Sequence, residues 1–326
     1  MLITRTPQRI SIGGGGTDLP SYYRKRGGSL VAAAIDKYCY IAVNKTFSED
    51  YLLKYSEIER VKTVEEIRHG LIREAFLMHT VEPSIEVVSI ADLPSGTGLG
   101  SSGTFTVGLL RAIHALQKKP VQINEIAEEA CTIEIDRLGE PVGKQDQYIA
   151  AFGGLTIFEF NKDDSVNVRR LDVALGVLEY LESNLLLFFT GYSRKAASIL
   201  KDQQERTLAG DTEMLNNLDR TKELGFEIAE ALEGGEVEYY GRLMHDHWIA
   251  KKARSAGMSN PSIDAWYEHG LSNGAIGGKL VGAGAGGFLL MLASDTAKLR
   301  GAMKKAGLPE VPFRFDHDGS IVMTRS

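Results

Sequence analysis

Two serines, Ser101 and Ser102, stand directly behind three spaced glycines, Gly96, Gly98 and Gly100, in a stretch running from Pro94 to Gln117. Glycines let a backbone approach a bulky anion closely and turn its amide hydrogens inward. A serine hydroxyl beside a phosphate can also ligate Mg²⁺, a hard cation that takes oxygen ligands. With Leu99 and Gly103, the loop PSGTGLGSSG has the makings of a phosphate cradle. Two charged pairs complete the set. Arg9 precedes Asp18 by nine residues, across a run of glycines that includes Gly15 and Gly16, so the two can present opposite charges to one pocket. Glu134 precedes Asp146 by twelve residues, across a break at Gly139 and Pro141 that can fold both carboxylates toward the phosphate loop. Taken singly, each has an ordinary explanation. An aspartate beside glycines is a good turn residue, and most glutamates on helices are solvated.

The elements around the loop support the cradle. Ile85 to Ile90 is an apolar, strand-like run, and beyond the serines Phe105, Leu109, Ile113 and Leu116 recur at helical spacing. A helix start adds unpaired N–H donors and the positive end of the helix dipole. Gly98, Gly100 and Gly103 also satisfy the dinucleotide pattern G-x-G-x-x-G, but Lys118 to Leu138 reads as a further helix where that reading needs a strand. The Walker pattern fails for want of Gly-Lys-Ser/Thr.

Along the chain, Leu2 to Ile12 reads as a strand and Ser29 to Lys45 as strand, turn and strand. Thr63 to Met78 is helical, as is about Asn124 to Leu138, and Gly143 to Ala151 forms a short helix. Leu155 to Asn161 and Val166 to Leu171 make a hairpin over NKDDS. Leu185 to Phe189 is a buried strand, followed by helices to about Gly270. Two strands flank GAGAGG, a helix covers Thr296 to Ala306, and Pro312 to Asp316 and Ile321 to Met323 close the chain as strands. Strands and helices mix without regular βαβ alternation, which favours α+β.

Composition narrows the class. With 326 residues, 43% hydrophobic and 25% charged, the chain has ample core for one large or two ordinary domains. Its longest apolar runs are far too short to span a bilayer, and its first residues lack the apolar core of a signal peptide. Two distant cysteines, Cys39 and Cys131, suit a reducing cytoplasm. A net charge of −6 and a pI near 5.7 argue against a nucleic-acid binder. The expectation is a cytoplasmic protein without nucleic-acid or membrane partners. His245 and His247 lie two apart on a helix, on diverging faces, and no zinc constellation is visible.

PxxxGLGSS resembles the second motif of the GHMP kinase superfamily, where this loop wraps the ATP phosphates. Two further motifs support the resemblance. Pro7, Arg9 and Asp18 are similar to the first, in which the aspartate hydrogen-bonds a sugar. KLVGAGAGGFLLML, from Lys279 to Leu292, is similar to the third, which packs against the phosphate loop through Gly282, Gly284 and Gly286. GEPVGKQDQ matches the family's G-x-P-x-G-x-x-D-Q. The resemblance makes Asp146 the catalytic carboxylate and Glu134, with Ser102 or Ser101, a Mg²⁺ ligand. Arg9 would stabilise the transferring phosphoryl group or the developing alkoxide.

The resemblance covers the chain in family order. It implies a two-domain α+β fold, with a ribosomal S5-like N-terminal domain over 1–172 and a ferredoxin-like C-terminal domain over 173–326. It also implies ATP and Mg²⁺ as cofactors, a sugar phosphate as substrate, and room for a homodimer. Galactokinases carry Glu-His where this chain has Gly15-Gly16, whereas the GGGTD form, with Thr17 and Asp18, is similar to the heptose-phosphate kinases and more distantly to fucokinases. That variant and GKQDQ imply phosphorylation of D-glycero-D-manno-heptose 7-phosphate at the anomeric C1 hydroxyl, on a route to nucleotide-activated heptose. Another sugar, or a catalytically idle sugar sensor, is the alternative. A substrate carrying its own phosphate needs a distal anion site. Lys144 and Arg194 are candidates, with a plain salt bridge as the competing role for Lys144.

Overall fold

The computed structural model describes residues 1–191, 196–255 and 257–325. The chain opens with β1 (Leu2–Gly13), a short helix α1 (Pro20–Arg26) entered through a proline, and β2 (Gly28–Lys45), antiparallel to β1. The expectation of two strands across Ser29 to Lys45 is corrected, since β2 runs unbroken for 18 residues. What reads as a turn is a bulge at Asp36 and Lys37, where Gln8 faces Ile35 while Pro7 faces Tyr38. Pro7 has no N–H for the ladder, and extra residues on the partner strand absorb the mismatch. The centre of β2 is buried on both faces. Leu30, Ala32 and Ala34 enter one core, and Val31, Ala33 and Ile35 enter a second, at the strand period of two.

A hairpin follows, β3 (Tyr51–Lys54) and β4 (Ile58–Val61), then α2 (Gly70–His79) and β5 (Ile85–Ala91). The helix expected over Thr63 to Met78 is interrupted: Val64–Glu66 form a single 3₁₀ turn and α2 starts only at Gly70. The buried Glu59 carboxylate accepts the N–H groups of Arg68 and His69 at 2.7 and 3.1 Å, which holds those residues off the helical path. Next come α3 (Ser101–Leu116), α4 (Ile123–Cys131) and α5 (Gln145–Phe152), then the hairpin β6 (Leu155–Phe160) and β7 (Val166–Arg170). The helix expected to reach Leu138 changes character, with Thr132–Arg137 forming a π-turn beyond α4.

The second half contains α6 (Leu175–Asn184), which the sequence reading lacks, then β8 (Leu185–Phe189) and four helices. These are α7 (Ala196–Leu208), α8 (Thr212–Glu233), α9 (Val237–Arg254) and α10 (Pro261–Leu271). The chain closes with β9 (Ala275–Leu280), β10 (Phe288–Ala293), α11 (Thr296–Lys305) and β11 (Ile321–Arg325). The strand expected over Pro312 to Asp316 is reduced to an isolated bridge between Phe315 and Ile35.

Among the described residues one sheet has eight strands, β11-β1-β2-β5-β3-β4, with β6 on the first half of β2 and β7 on the far side of β6. The other has three, ordered β8-β10-β9. Residue 172 lies between β7 and α6, and β11 returns to pair with β1 in the first sheet. One core lies between the large sheet and α2 to α5. A second joins the opposite sheet face to α8, α9 and the small sheet, and a third packs the small sheet against α9, α10 and α11. The fold is thus α+β, and no described helix is long and apolar enough to cross a membrane.

Candidate active site

The glycine loop leaves β5 and enters α3 with Gly96, Gly98 and Gly100 all at positive φ, between 75° and 89°, where only glycine is comfortable. It is tied to β1 at Arg9, whose N–H donates to Leu99 O at 3.0 Å and whose Nη1 donates to Gly98 O. Gly100 caps α3, so Ser101, Ser102 and Gly103 occupy its first turn, where amide hydrogens lack helical partners. That is the geometry of an anion site, on the loop where the sequence places it.

The two serines part company here. Ser101 Oγ accepts a weak contact from Gln8 Nε2 at 3.4 Å. Ser102 instead lies on the Glu134 side: the Glu134 carboxyl accepts Gln147 Nε2 at 2.9 Å, and the nearby Ser102 and Thr106 hydroxyls favour its ionised form. Glu134 lies in the π-turn beyond α4, a wider turn often found at functional sites. It is 2% exposed, and burial pushes its pKa up to about 7 against the hydrogen bonds that lower it, with Asp146 adding to the rise.

Asp146 sits in the first turn of α5. Arg9 Nε and Nη2 reach its Oδ1 at 2.8 and 2.7 Å, and Gln145 Nε2 reaches the same oxygen at 3.1 Å. Among the described residues no donor reaches Oδ2, which lies beside Gly100. Asp18 is buried and bridges the first loop to α5: Oδ1 accepts the Gly16 N–H at 3.0 Å and Oδ2 the Gln145 N–H at 3.1 Å. Burial raises its pKa above the ordinary carboxylate value. A Cβ at Gly143 would stand 2.0 Å from Asp18 Oδ2, so only glycine permits this approach.

Two cavities meet at these residues. The smaller, about 90 Å³, is lined by Asp18, Gly15 and Gly16. The larger, about 690 Å³, runs along the glycine loop to Tyr55, His69 and Phe105. Arg9, Asp146 and Gly282 line both. Gly282 belongs to the third glycine segment, in which Gly284 is seated against Met258; Gly286 lies further along the same turn, outside both linings.

Three sequence expectations are corrected or fall elsewhere. Lys144 does not line the small cavity: its ammonium donates to both Glu128 carboxylate oxygens, at 2.8 and 2.9 Å, and to Asp164 O at 2.9 Å. A buried ammonium needs such partners, so the salt bridge wins. Thr17 is fully buried beneath its loop, giving its hydroxyl to Gly14 O and Ser29 O, and does not face the cavity. Arg194 lies outside the described residues.

Besides Arg9, the cations Lys251, Arg254 and Lys279 line the small cavity. Lys279 is 1% exposed, and among the described residues its ammonium donates to Ile12 O alone, at 3.3 Å; burial first, then the nearby Arg254 and Arg9, bring its pKa down to about 7. Arg254 binds Gly15 O, Asn217, Gln203 and Thr221, and burial lowers its pKa to about 10. His247 accepts the Gly14 N–H at 3.2 Å and so steadies the first loop. Sequence reasoning missed these groups because basic residues closing a helix, as in KKAR, read as ordinary dipole partners. Only Lys279, at the head of the third glycine segment, carried a signal.

Comparisons with known proteins bear on the family and the fold. Residues 61–154 match the family model described as GHMP kinases N terminal domain, and residues 228–307 match GHMP kinases C terminal. The chain is 30% identical to D-glycero-alpha-D-manno-heptose 7-phosphate kinase of Campylobacter jejuni, with 97% of each chain covered. It is 27% identical to galactokinase of Pyrococcus furiosus, over 92% of this chain and 91% of that one. The solved structure of a D-glycero-D-manno-heptose 1-phosphate kinase from Bacteriodes thetaiotaomicron aligns over all of both chains with TM-score 0.82 and 24% identity, a likeness of fold.

Proposed function

Because this chain belongs to the GHMP kinase family, we propose that it is an ATP-dependent sugar kinase acting on the anomeric C1 hydroxyl of D-glycero-D-manno-heptose 7-phosphate. The observation that carries the reading is the pair of cavities meeting at Arg9 and Asp146. A long cavity ending on a phosphate loop suits a nucleotide, with Tyr55, His69 and Phe105 at the base end. A small polar cavity with Asp18 at its wall suits a sugar. Phosphoryl transfer needs the donor and acceptor positioned in line and the spread charge neutralised.

In this reading the amides of Ser101, Ser102 and Gly103 hold phosphate oxygens at the α3 start. Asp146 Oδ2 accepts the proton of the attacking hydroxyl while Arg9 holds the other oxygen. Glu134 and Ser102 form an oxygen donor set that fits Mg²⁺, and a cation bound there would favour the ionised form of the buried carboxyl. The bound ion would offset charge on the β- and γ-phosphates. Asp18 orients the sugar through its hydroxyls.

Arg254 and Lys279 support a phosphorylated substrate. Among the described residues neither forms an ion pair with a carboxylate, and a buried cation is costly until it meets an anion. In this reading the distal phosphate lies on the α9 and β9 side of the small cavity, in the role that Lys144 was expected to fill. An ADP-release assay over a panel of sugars tests the reading. Heptose 7-phosphate should give the highest kcat/KM. A preference for an unphosphorylated heptose, fucose or galactose would remove the distal-phosphate part, and no turnover with any sugar would leave a sensor.

A further inference from the structure

Away from both cavities, ligating side chains from three helices converge on one point. His79 ends α2, His114 lies in the last turn of α3, and Glu129 projects from α4. One donor atom from each lies within 4.8 Å of the other two. Nε2 of His79 and Nε2 of His114 approach the same carboxylate oxygen, Glu129 Oε2, at 3.2 and 2.8 Å. The two rings stand edge to face with centroids 4.7 Å apart. Both histidine side chains are nearly enclosed, while the Glu129 side chain is 26% exposed.

We propose that this cluster is a transition-metal site, binding one Zn²⁺ through His79, His114 and Glu129. Two imidazoles and a carboxylate suit zinc and its neighbours better than Mg²⁺, which prefers oxygen ligands and retained water. Three protein ligands leave a fourth tetrahedral position for water on the open side of Glu129. Binding requires each ring to carry its proton on Nδ1. His114 Nδ1 is buried without a hydrogen-bond partner, so it is orphaned as acceptor or donor alike and the change of tautomer costs little there. The three residues are remote in sequence, at 79, 114 and 129, which is why no zinc-type spacing shows.

The site would act as a tie between helices. α3 begins at Ser101 and Ser102, and α4 runs into the π-turn that carries Glu134. His114 lies roughly 20 Å along α3 from Ser101 at 1.5 Å per residue, so an ion here would stay clear of the reaction. It would instead hold in register the two elements that present Ser102 and Glu134.

The test uses the full-length protein, without a histidine tag, stripped by chelator and kept in saturating Mg²⁺. Zn²⁺ is titrated by calorimetry and Co²⁺ by visible absorption. One equivalent should bind with micromolar or tighter affinity, and Co²⁺ should show tetrahedral ligand-field bands. His79→Ala and the near-isosteric Glu129→Gln should each weaken binding at least about tenfold while keeping wild-type circular dichroism. Absence of stoichiometric Zn²⁺ binding, or binding unchanged in both variants, would overturn the proposal.

Discussion

The Ser102 hydroxyl lies near enough to the Glu134 carboxyl to favour its ionised form, although one residue stands at the start of α3 and the other follows α4. Ser102, and not Ser101, is thus the serine on the Glu134 side. The burial of that carboxyl makes the site sensitive to pH.

Burial raises the Glu134 pKa from 4.5 to about 7. A carboxyl whose folded pKa exceeds its unfolded one binds more protons when folded, so stability is lost as pH rises between those values. The metal-free protein should therefore lose thermal stability from about pH 5 to pH 7, and Mg²⁺ affinity should rise over the same window. Glu134→Gln should flatten both profiles in melting and titration experiments. Unaltered profiles would mean that another group titrates.

Glu134→Ala and Ser102→Ala should both weaken MgATP binding by removing oxygen donors for the cation, while Ser101→Ala should change it little. Nucleotide titrations at varied Mg²⁺ measure this. An unchanged magnesium dependence in the first two variants would place the ion elsewhere.

Asp146→Asn keeps the shape of the side chain and its Oδ1 contact but removes the proton acceptor. Turnover should fall roughly 10²- to 10⁴-fold, with ATP affinity within a few-fold of wild type. Single-turnover kinetics separate the two. Near-normal turnover would end the general-base assignment.

Lys279→Met removes a buried ammonium from the small cavity and should raise KM for heptose 7-phosphate by about ten- to a hundredfold, the worth of one charge-assisted contact. KM for unphosphorylated heptose should move little. Lys144→Met should behave differently, leaving the ratio of the two KM values unchanged. Its cost should be about 1–2 kcal/mol of stability, because it breaks the pair with the partly exposed Glu128. The opposite pattern would restore Lys144 to the substrate.

Gly143→Ala brings a methyl against Asp18 Oδ2 and must displace that carboxylate from the Gln145 N–H. Sugar KM should rise sharply, with ATP binding unaffected. If sugar and nucleotide affinities fall together, the defect lies in α5 as a whole.

The sequence by itself determined the local parts. Glycines spaced for positive φ, serines at a helix start and carboxylates beside a Gly-Pro break announce a loop shaped to cradle an anion, because backbone conformation and capping depend on near neighbours. The alternation of Leu30 to Ile35 likewise marks a strand, and its burial on both faces follows from having no polar side to expose. The tertiary structure alone decided what depends on distant partners. Glu59 interrupts a helix by taking the N–H groups of Arg68 and His69, and Pro7 turns an apparent hairpin into a bulge in a neighbouring strand. Glu128 takes Lys144 out of the site, since a buried ammonium goes to the nearest carboxylate. Arg254 and Lys279 become pocket residues only when α9 and β9 close over the first loop. The same holds for His79, His114 and Glu129, whose convergence follows from the packing of three helices.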